Sequence, residues 1–297
     1  MRNQRFGIEI EFTGITREIA ANEIASYYKT ENYYIGGAYR TYEVRDNKSR
    51  TWKIMSDSSI IAEQKFCDKK ISADSNFKVE LVSPILTYDD IDDLQGIVRK
   101  LRKAGAFINK SCGIHVHIDA KAHTPSSLKN LVNIIASKEN MIYKTLDIPY
   151  ERLRYCKKVN EKLIEKINSK KPKTISELAD IWYEDYGVQS RTAHYNNSRY
   201  HGLNLHSTFT KGTVEFRIFN STLHAGKIKA YIQFCLAVSY QALIQKKASS
   251  KRTITDNEKY AFRCWMLRLG LIGDEFKTCR YHFLKNLEGN SAWRHAV

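Results

Sequence analysis

Alternating apolar and polar residues predict a β-strand near the start of the chain. In FGIEIEF, residues 6–12, apolar side chains occupy every second position, and Glu9 and Glu11 fall between them. Successive side chains of a strand point to opposite faces, so this period indicates one buried face and one polar face. Both glutamates are therefore expected on the polar face of the same strand.

Two later stretches repeat the alternation with other reactive side chains. CGIHVHID places His115 and His117 on one predicted strand face, and GTVEFRIFN places Glu215 and Arg217 on another. Alternation of this kind is typical of a half-buried strand. Further strand-like runs are TWKIM, FKVELVS and HGLNLHS, at residues 51–55, 77–83 and 201–207.

Apolar side chains at three- and four-residue spacing predict helices between and after these strands. A helix capped by Thr16 is expected to end at Tyr28, and a second is expected at residues 91–101. Residues of about 125–185 and about 225–297 have mostly helical patterns. The first of these regions is interpreted as a helical insertion and the second as a helical carboxyl-terminal region.

The order of these elements favours an α+β fold built on a largely antiparallel sheet. Strands and helices occur without regular βαβ alternation, which argues against a parallel α/β sheet. The chain has no internal repeat and no stretch rich in Gly, Ser and Pro that would separate two domains. We therefore expect residues 1–297 to form a single domain decorated with helices.

Charge is the largest anomaly of the composition. The 297 residues include 48 Lys and Arg against 32 Asp and Glu, a net charge of +16. Such a charge concentrates acidic molecules near the surface, including nucleotides, phosphorylated substrates, nucleic acids and acidic peptides. No signature of an RNA- or DNA-binding module is present, so a nucleic-acid partner rests on charge alone.

The cysteines and the apolar runs indicate a soluble, cytoplasmic protein without a membrane partner. The six cysteines are scattered and form no C-x-x-C pair, which argues against a structural zinc site and a disulfide framework. No apolar run approaches the roughly 20 residues that a membrane-spanning helix needs. The first residues, MRNQRFGIEIEF, lack the apolar centre of a secretory signal.

Acidic side chains in or next to apolar strands are the first candidates for chemistry. Glu80 is surrounded by apolar residues in KVELVS, and a charge in that setting should have a partner or a cation. Asp57 directly follows a predicted strand, where an aspartate also serves as a turn residue. Taken singly, paired acids on a polar face, a hydrogen-bonded histidine or a Glu215–Arg217 ion pair would each have a purely structural explanation.

Taken together, these positions predict a metal-nucleotide site on one sheet surface. The inferred polar strand positions are Glu9, Glu11, Glu80, His115, His117, Glu215 and Arg217. Two carboxylates about 4 Å apart repel by roughly 4 kcal/mol at an effective dielectric constant near 20, so such a cluster favours a divalent metal. Oxygen ligands with a histidine suit Mg²⁺ or Mn²⁺, and an arginine offers a fork for phosphate oxygens. Because the common nucleotide-binding loops are missing, metal-bound phosphates would hold the nucleotide.

The ordered motifs resemble the amidoligase family, which is similar to glutamine synthetase and glutamate–cysteine ligase. They are FGIEIEF, WKIMSDSSI, VELVSPIL, CGIHVHID, GLNLHS and GTVEFRIFNSTL, between residues 6 and 223. The resemblance implies a curved antiparallel sheet whose concave face binds ATP with Mg²⁺ or Mn²⁺, and helices on the other face. It also implies that ATP phosphorylates a carboxylate and that an amine attacks the acyl phosphate.

The resemblance further implies a role for each matching residue. The implied metal ligands are Glu9, Glu11, Asp57, Glu80, His115 and Glu215. The implied catalytic residues are Arg217, which would touch the transferring phosphoryl group, together with Glu80 and Asp57, which would face the amine and nucleotide sides. His117 would lie near the ATP phosphates. Other residues interpreted as binding substrate carboxylate or phosphate are Lys53, Arg191, Arg199 and Asn204.

Two other functional classes stay open at this level. One is a phosphotransferase of the guanidino-kinase type, in which the acceptor keeps the phosphate. The other is a non-catalytic basic protein that binds nucleic acid or an acidic partner, with binding that weakens steeply as salt is added. For the ligase, the expected partners are a small-molecule or peptide carboxylate and an amine, with an acidic peptide or carrier-bound substrate recruited by the basic surface.

Overall fold

Eight strands of the chain form one antiparallel sheet. The computed structural model describes residues 1–187, 191–193 and 195–294. The strands in this part of the chain are β1 (Phe6–Phe12), β2 (Asn32–Gly36), β3 (Thr41–Arg45), β4 (Thr51–Met55), β5 (Glu63–Phe66), β6 (Lys69–Ser72), β7 (Val79–Val82), β8 (Gly113–Asp119), β9 (Leu203–Asn204) and β10 (Thr213–Asn220). The sheet has the order β2-β3-β4-β7-β1-β8-β10-β9, and β5 pairs with β6 in a separate hairpin.

Helices account for most of the remaining regular structure, which confirms the predicted α+β class. Those in the described ranges are α1 (Arg17–Tyr28), α2 (Ile91–Lys103), α3 (Pro125–Leu146), α4 (Glu161–Lys170), α5 (Ile175–Tyr183), α6 (His206–Lys211), α7 (Ala225–Ile244), α8 (Glu258–Arg268) and α9 (Lys277–Leu284). None of the helices in these ranges has the length and apolar character needed to cross a lipid bilayer.

Contacts between residues divide the chain into two units. We call residues 2–116 and 219–229 the sheet unit, and residues 1, 117–218 and 230–297 the helical unit. In the sheet unit, α1 packs against β3, β4 and α2. The Thr16 hydroxyl accepts a hydrogen bond from the Ile19 amide at 3.2 Å, so the predicted cap of α1 is confirmed.

Within the sheet unit, the strand register sorts apolar and polar side chains onto opposite faces. The apolar positions of β1, including Ile8 and Ile10, are almost completely buried. On the other face, Glu11 lies opposite Glu80 of β7, which in turn pairs with Met55 of β4. The alternation read from the sequence thus gives the acids a common face of β1 and β7.

The core of the helical unit is rich in aromatic side chains. Phe234 of α7 stacks on Phe283 of α9 with ring centroids 4.5 Å apart, and it meets the edge of Trp265 of α8 at 5.7 Å. Aromatic pairs in these geometries contribute about 0.5–1.5 kcal/mol each beyond the area that they bury. These contacts hold together the carboxyl-terminal helices that the sequence predicted.

One predicted strand is shorter than expected. HGLNLHS suggested a strand over residues 201–207, but β9 contains only Leu203 and Asn204, and α6 begins at His206. The side-chain oxygen of Asn204 accepts a hydrogen bond from the His206 amide at 2.8 Å. A local bond of this kind turns the backbone and starts a helix, because asparagine competes with the strand ladder for amide donors.

A titratable glutamate lies inside the helical unit. Burial raises the pKa of Glu139 in α3 to about 7, and the Val159 amide donates to its Oε1 at 2.8 Å. In the unfolded chain the same group titrates near 4.5. As pH rises from about 4.5 to about 7, the unfolded chain releases a proton that the folded chain keeps. The free energy of unfolding should therefore fall over this window by up to about 1.4 kcal/mol per pH unit and level off above it.

Urea denaturation of wild type and Glu139→Gln between pH 4.5 and 8 measures this effect. The variant keeps an acceptor for the Val159 amide but cannot ionise, so its unfolding free energy should lack this fall. Parallel pH profiles for the two proteins would mean that Glu139 ionises as readily in the folded protein as in the unfolded chain.

Candidate functional site

Two buried carboxylates face each other in the sheet unit. Glu11 and Glu80 lie directly opposite on β1 and β7, and they are only 4% and 9% exposed. Like charges opposite each other on a sheet destabilise it, and burial increases the cost because water screens them less. The Gly113 amide donates to Oε2 of Glu11 at 2.6 Å, which stabilises the ionised form of that carboxylate.

His115 brings an imidazole next to Glu11 and to a third carboxylate, Glu9. Its Nδ1 lies 2.8 Å from Oε2 of Glu9, and its Nε2 lies 3.9 Å from Oε1 of Glu11. An ionised carboxylate only accepts hydrogen bonds, so Nδ1 carries the proton that is donated to Glu9. In the neutral ring, Nε2 then has the lone pair that can bind a metal. Histidine ligands of metals commonly donate their other ring N–H to a carboxylate in this way, which fixes the orientation of the ring.

These three side chains can converge on one cation. We call Glu11, Glu80 and His115 the acid–histidine cluster; their donor atoms all lie within 4.8 Å of one another, and all three residues are buried. Bonds of about 2.1 Å to Mg²⁺ place neighbouring octahedral ligands about 3.0 Å apart and opposite ligands about 4.2 Å apart, so a contraction of less than about 2 Å would suffice. Two carboxylates with one imidazole form a donor set that suits Mg²⁺ or Mn²⁺.

Lys53 and Asp57 have other contacts in the sheet unit. Lys53 shares the polar face of β4 with Met55, is exposed, and its Nζ lies 3.5 Å from Oε1 of Glu43. Asp57 follows β4, and its Oδ1 accepts from the amide and the hydroxyl of Ser59 at 2.6 and 2.5 Å. These contacts form the turn that an aspartate at this position favours, and the catalytic and metal-binding roles of Asp57 stay predictions.

Glu215 is the centre of a second polar cluster, which belongs to the helical unit. Its Oε2 accepts hydrogen bonds from Asn204 and Ser207, both at 2.7 Å, and its Oε1 accepts from Nη1 of Arg217 at 2.5 Å. The carboxylate and the guanidinium are 3% and 6% exposed. Bonds that all donate to the charged carboxylate favour its ionised form and fix its orientation.

His117 extends this second cluster along β8. Its Nδ1 lies 3.1 Å from the Thr213 hydroxyl, and its Nε2 lies 3.9 Å from Oε1 of Glu215. The side chain is only 9% exposed. The structure therefore brings His117, Glu215 and Arg217 together in the helical unit. The alternation had placed each of them on the polar face of its own strand.

A cavity of about 210 Å³ opens beside Glu215 in the helical unit. In the described part of the chain, its lining includes Thr192, Arg199, Asn204, His206, Ser207, Thr210, Lys211 and Glu215. Two of the residues predicted to bind carboxylate or phosphate, Arg199 and Asn204, thus share this cavity. Arg191 instead contributes an exposed ion pair, in which its Nη1 lies 2.5 Å from Oδ1 of Asp180.

Sequence reasoning did not select Thr213 and Ser207, which hold His117 and Glu215 in place. Thr213 lies two residues before Glu215, so the alternation in GTVEFRIFN already places it on the polar face of Glu215 and Arg217, although it does not reveal its hydrogen bond. Ser207 closes the motif GLNLHS, which gave a signal for the neighbouring Asn204 but none for a hydroxyl. Their roles depend on side-chain hydrogen bonds, which residue spacing does not report.

The hydrogen bond from Ser207 should have a measurable cost when it is removed. Ser207→Ala deletes a buried donor to an ionised carboxylate, and hydrogen bonds to charged groups contribute about 1.5–3 kcal/mol. Ser221, equally buried, donates to the neutral carbonyl of Glu11, so Ser221→Ala should cost only about 0.5–1.5 kcal/mol. Urea denaturation of both variants gives the comparison. Equal losses would contradict an ionised Glu215.

Comparison with known proteins places the chain in a family. A sequence model of the family described as putative amidoligase enzyme matches residues 2–239, which is well over half of the chain. The matched segment contains both polar clusters. No curated protein matches the chain. Amidoligases are ligases that join a carboxylate to an amine. The chain belongs to the amidoligase enzyme family.

Proposed function

We propose that the protein is an ATP-dependent carboxylate–amine ligase that works through an acyl phosphate with Mg²⁺ or Mn²⁺. The observation that carries the proposal is the buried acid–histidine cluster in a chain of the amidoligase family. A ligase of this kind must bring a polyphosphate close to a carboxylate, and divalent cations bound to protein carboxylates relieve the resulting repulsion.

Glu11, Glu80 and His115 would hold one divalent ion, with Glu9 orienting His115 through Nδ1 or contributing a further oxygen. When bound, the ion supplies Lewis-acid polarisation of phosphate oxygens and neutralises negative charge. Lys53 lies two residues before Met55, the partner of Glu80, and therefore shares the sheet face of Glu80. From this face it would contact a phosphate oxygen.

In the helical unit, Glu215 would be a metal ligand and Arg217 would contact the phosphoryl group, both held in position by hydrogen bonds before substrates bind. Asn204, Ser207 and Arg217 fix the Glu215 carboxylate in one orientation, which suits a metal ligand. Arg217 Nη1 donates to Oε1 of Glu215, and its planar guanidinium would also contact oxygens of the transferring phosphoryl group. His117 would lie near the ATP phosphates and is positioned by Thr213.

The proposed reaction balances in two steps. A carboxylate oxygen of the substrate attacks the γ-phosphorus of ATP, the bond to the β-phosphate bridging oxygen breaks, and ADP leaves. The nitrogen of a neutral amine then attacks the acyl carbon, and inorganic phosphate leaves as the amide forms with loss of one proton. Asp57 and Glu80 are the carboxylates proposed to face the nucleotide and amine sides, where a carboxylate would accept that proton.

We also propose a fold relationship, the extent of the catalytic domain and a role for the helices. The family is proposed to share its fold with glutamine synthetase and glutamate–cysteine ligase, which would give the antiparallel sheet a curved shape with a concave catalytic face. Residues 1–297 would function as one catalytic domain. The helices within about 125–185 and about 225–297 would select the substrates.

Product analysis tests the proposed function directly. The protein is incubated with ATP, Mg²⁺ and a panel of carboxylates and amines, and ADP release is followed. Release that requires the metal, a carboxylate and an amine together supports a ligase, and mass spectrometry should find a product equal to both substrates minus water. A product that retains phosphate would indicate a phosphotransferase instead. Absence of ATP binding by calorimetry in the presence of Mg²⁺ would overturn the proposal.

A further inference from the structure

The cavity beside Glu215 has a buried polar floor and an exposed mouth. Asn204, Ser207 and Glu215 are at most 3% exposed, whereas Thr210 and Lys211 lie at the surface. Its volume of about 210 Å³ is many times the roughly 10–15 Å³ that a single water molecule needs by the same measure. The cavity therefore has room for a polar group larger than water, such as a carboxylate with part of its carbon chain.

The charges around the cavity give it a positive sign. Among the residues that the structure describes, its lining contains two cationic side chains, Arg199 and Lys211, and one carboxylate, Glu215. The Glu215 charge is offset by the Arg217 guanidinium at 2.5 Å. Arg199 and Lys211 therefore add positive potential to the cavity, which favours an anionic group.

Arg199 is held in position by aromatic rings. Its guanidinium carbon lies 5.5 Å from the ring centroid of Tyr195 and 5.9 Å from that of Tyr200. Contacts of this kind restrict the long side chain and lower the entropy lost when a ligand binds. The planar fork of an arginine matches the two oxygens of a carboxylate, which a lysine ammonium cannot do.

His206 adds a hydrogen-bonded imidazole to the lining. Its Nε2 lies 3.1 Å from the Ala193 carbonyl oxygen, which can only accept, so Nε2 carries a proton. Its Nδ1 lies 2.6 Å from the Tyr183 hydroxyl, which also lies 3.3 Å from the Arg191 carbonyl oxygen. Both ring nitrogens thus have partners. The cavity therefore offers charge recognition through Arg199 and Lys211 and polar lining through its hydroxyl groups.

We propose that this cavity binds a second carboxylate of the substrate, remote from the group that reacts. The substrate would then be a dicarboxylic or amino-acid-type molecule, or the end of an acidic peptide, rather than a simple monocarboxylate. Assigning the carboxylate to a ligase substrate rests on the proposed function, because Glu215 at the cavity floor is there proposed as a metal ligand. The affinity of the cavity for a carboxylate is argued from the contacts described above and does not require ligase activity.

Ligand-observed NMR titrations without ATP or metal test this assignment. The probes are glutarate, its uncharged diamide glutaramide, and inorganic phosphate, all at one fixed ionic strength. Glutarate should bind and glutaramide should not. Arg199→Met should weaken glutarate binding by roughly 10- to 100-fold, as expected for loss of a hydrogen-bonded charge. Lys211→Met, at an exposed position where folding is not at risk, should weaken it by a smaller factor that shrinks as salt is added.

Arg102→Met is the matched control, since Arg102 is an exposed arginine on α2 of the sheet unit and its loss changes the net charge equally. It should leave glutarate binding unchanged. Equal weakening by Arg102→Met, tighter binding of phosphate than of glutarate, or no glutarate binding would each overturn the assignment. If glutarate bound in an Arg199-dependent way to a protein that makes no amide, the cavity would be a carboxylate-binding site and the proposed ligase function would be wrong.

Discussion

Glu80→Gln is expected to abolish tight Mn²⁺ binding while leaving the metal-free protein at least as stable as wild type. Glu80 faces Glu11 across β1 and β7 with both side chains buried. Two carboxylates about 4 Å apart repel by roughly 4 kcal/mol at an effective dielectric constant near 20, and a neutral amide removes that repulsion. The same change removes a charged oxygen from the acid–histidine cluster.

Two measurements separate these effects. The midpoint of thermal unfolding in the presence of a chelator should stay constant or rise in Glu80→Gln. The affinity for Mn²⁺, followed by the electron spin resonance signal of the free ion, should fall by more than the 10- to 100-fold typical for loss of a group that only orients a ligand. Ligase turnover should fall with it.

Glu43→Gln provides the control for Glu80→Gln. Glu43 lies on β3 of the same sheet, and its ion pair with Lys53 is partly exposed to solvent, with side-chain exposures of 29% and 49%, so removing it should change stability by no more than about 1 kcal/mol. It should leave Mn²⁺ affinity unaltered. A Glu80→Gln protein that is strongly destabilised without metal and binds Mn²⁺ like wild type would show that Glu80 has a structural role instead.

Arg217→Met is expected to have the largest combined effect on stability and activity. The substitution leaves Glu215 as a buried carboxylate without its guanidinium, and breaking a buried ion pair in this way typically costs about 3–5 kcal/mol. Loss of a group that stabilises charge in a transition state typically lowers turnover by about 10²–10³-fold. Urea denaturation and ADP release measure the two losses.

A double variant separates the two roles of Arg217. In Glu215→Gln/Arg217→Met no buried charge remains at this pair, so most of the lost stability should return, while turnover should stay below that of the single variant Glu215→Gln. Arg217→Lys keeps the charge but loses the planar fork, and it should recover stability better than activity. If the double variant regained both stability and turnover, Arg217 would serve folding alone.

The strands and their polar faces could be predicted because alternation is a local property. The period of two in FGIEIEF assigns Glu9 and Glu11 to one face whatever the rest of the fold does, and β1 occupies the predicted residues. The pairing of Glu11 with Glu80 could not be predicted in this way. It depends on the register between strands that are about 70 residues apart in the chain, which residue spacing does not encode.

Local side-chain hydrogen bonds explain where the prediction was wrong. The apolar alternation of HGLNLHS is real, but Asn204 bonds to the His206 amide and ends the strand. The hairpin of β5 and β6 was not predicted, because its strands EQKF and KKIS lack an apolar face. In its turn, Cys67 and Asp68 have positive φ angles of 45° and 61°. Asn-Gly is the usual sequence for such a turn and would have predicted a hairpin, whereas Cys-Asp does not.

The polar face of the sheet unit also affects how the chain avoids misfolding. If β1 shifted by one residue along β7, Glu9 and Glu11 would turn toward the apolar face, and Ile8 and Ile10 would turn toward the polar one. Burying two charges among apolar side chains is far more costly than the repulsion between Glu11 and Glu80 in the native pairing. The carboxylates that weaken the native sheet therefore make the neighbouring register still less stable, and they help the chain to select a single strand alignment as it folds.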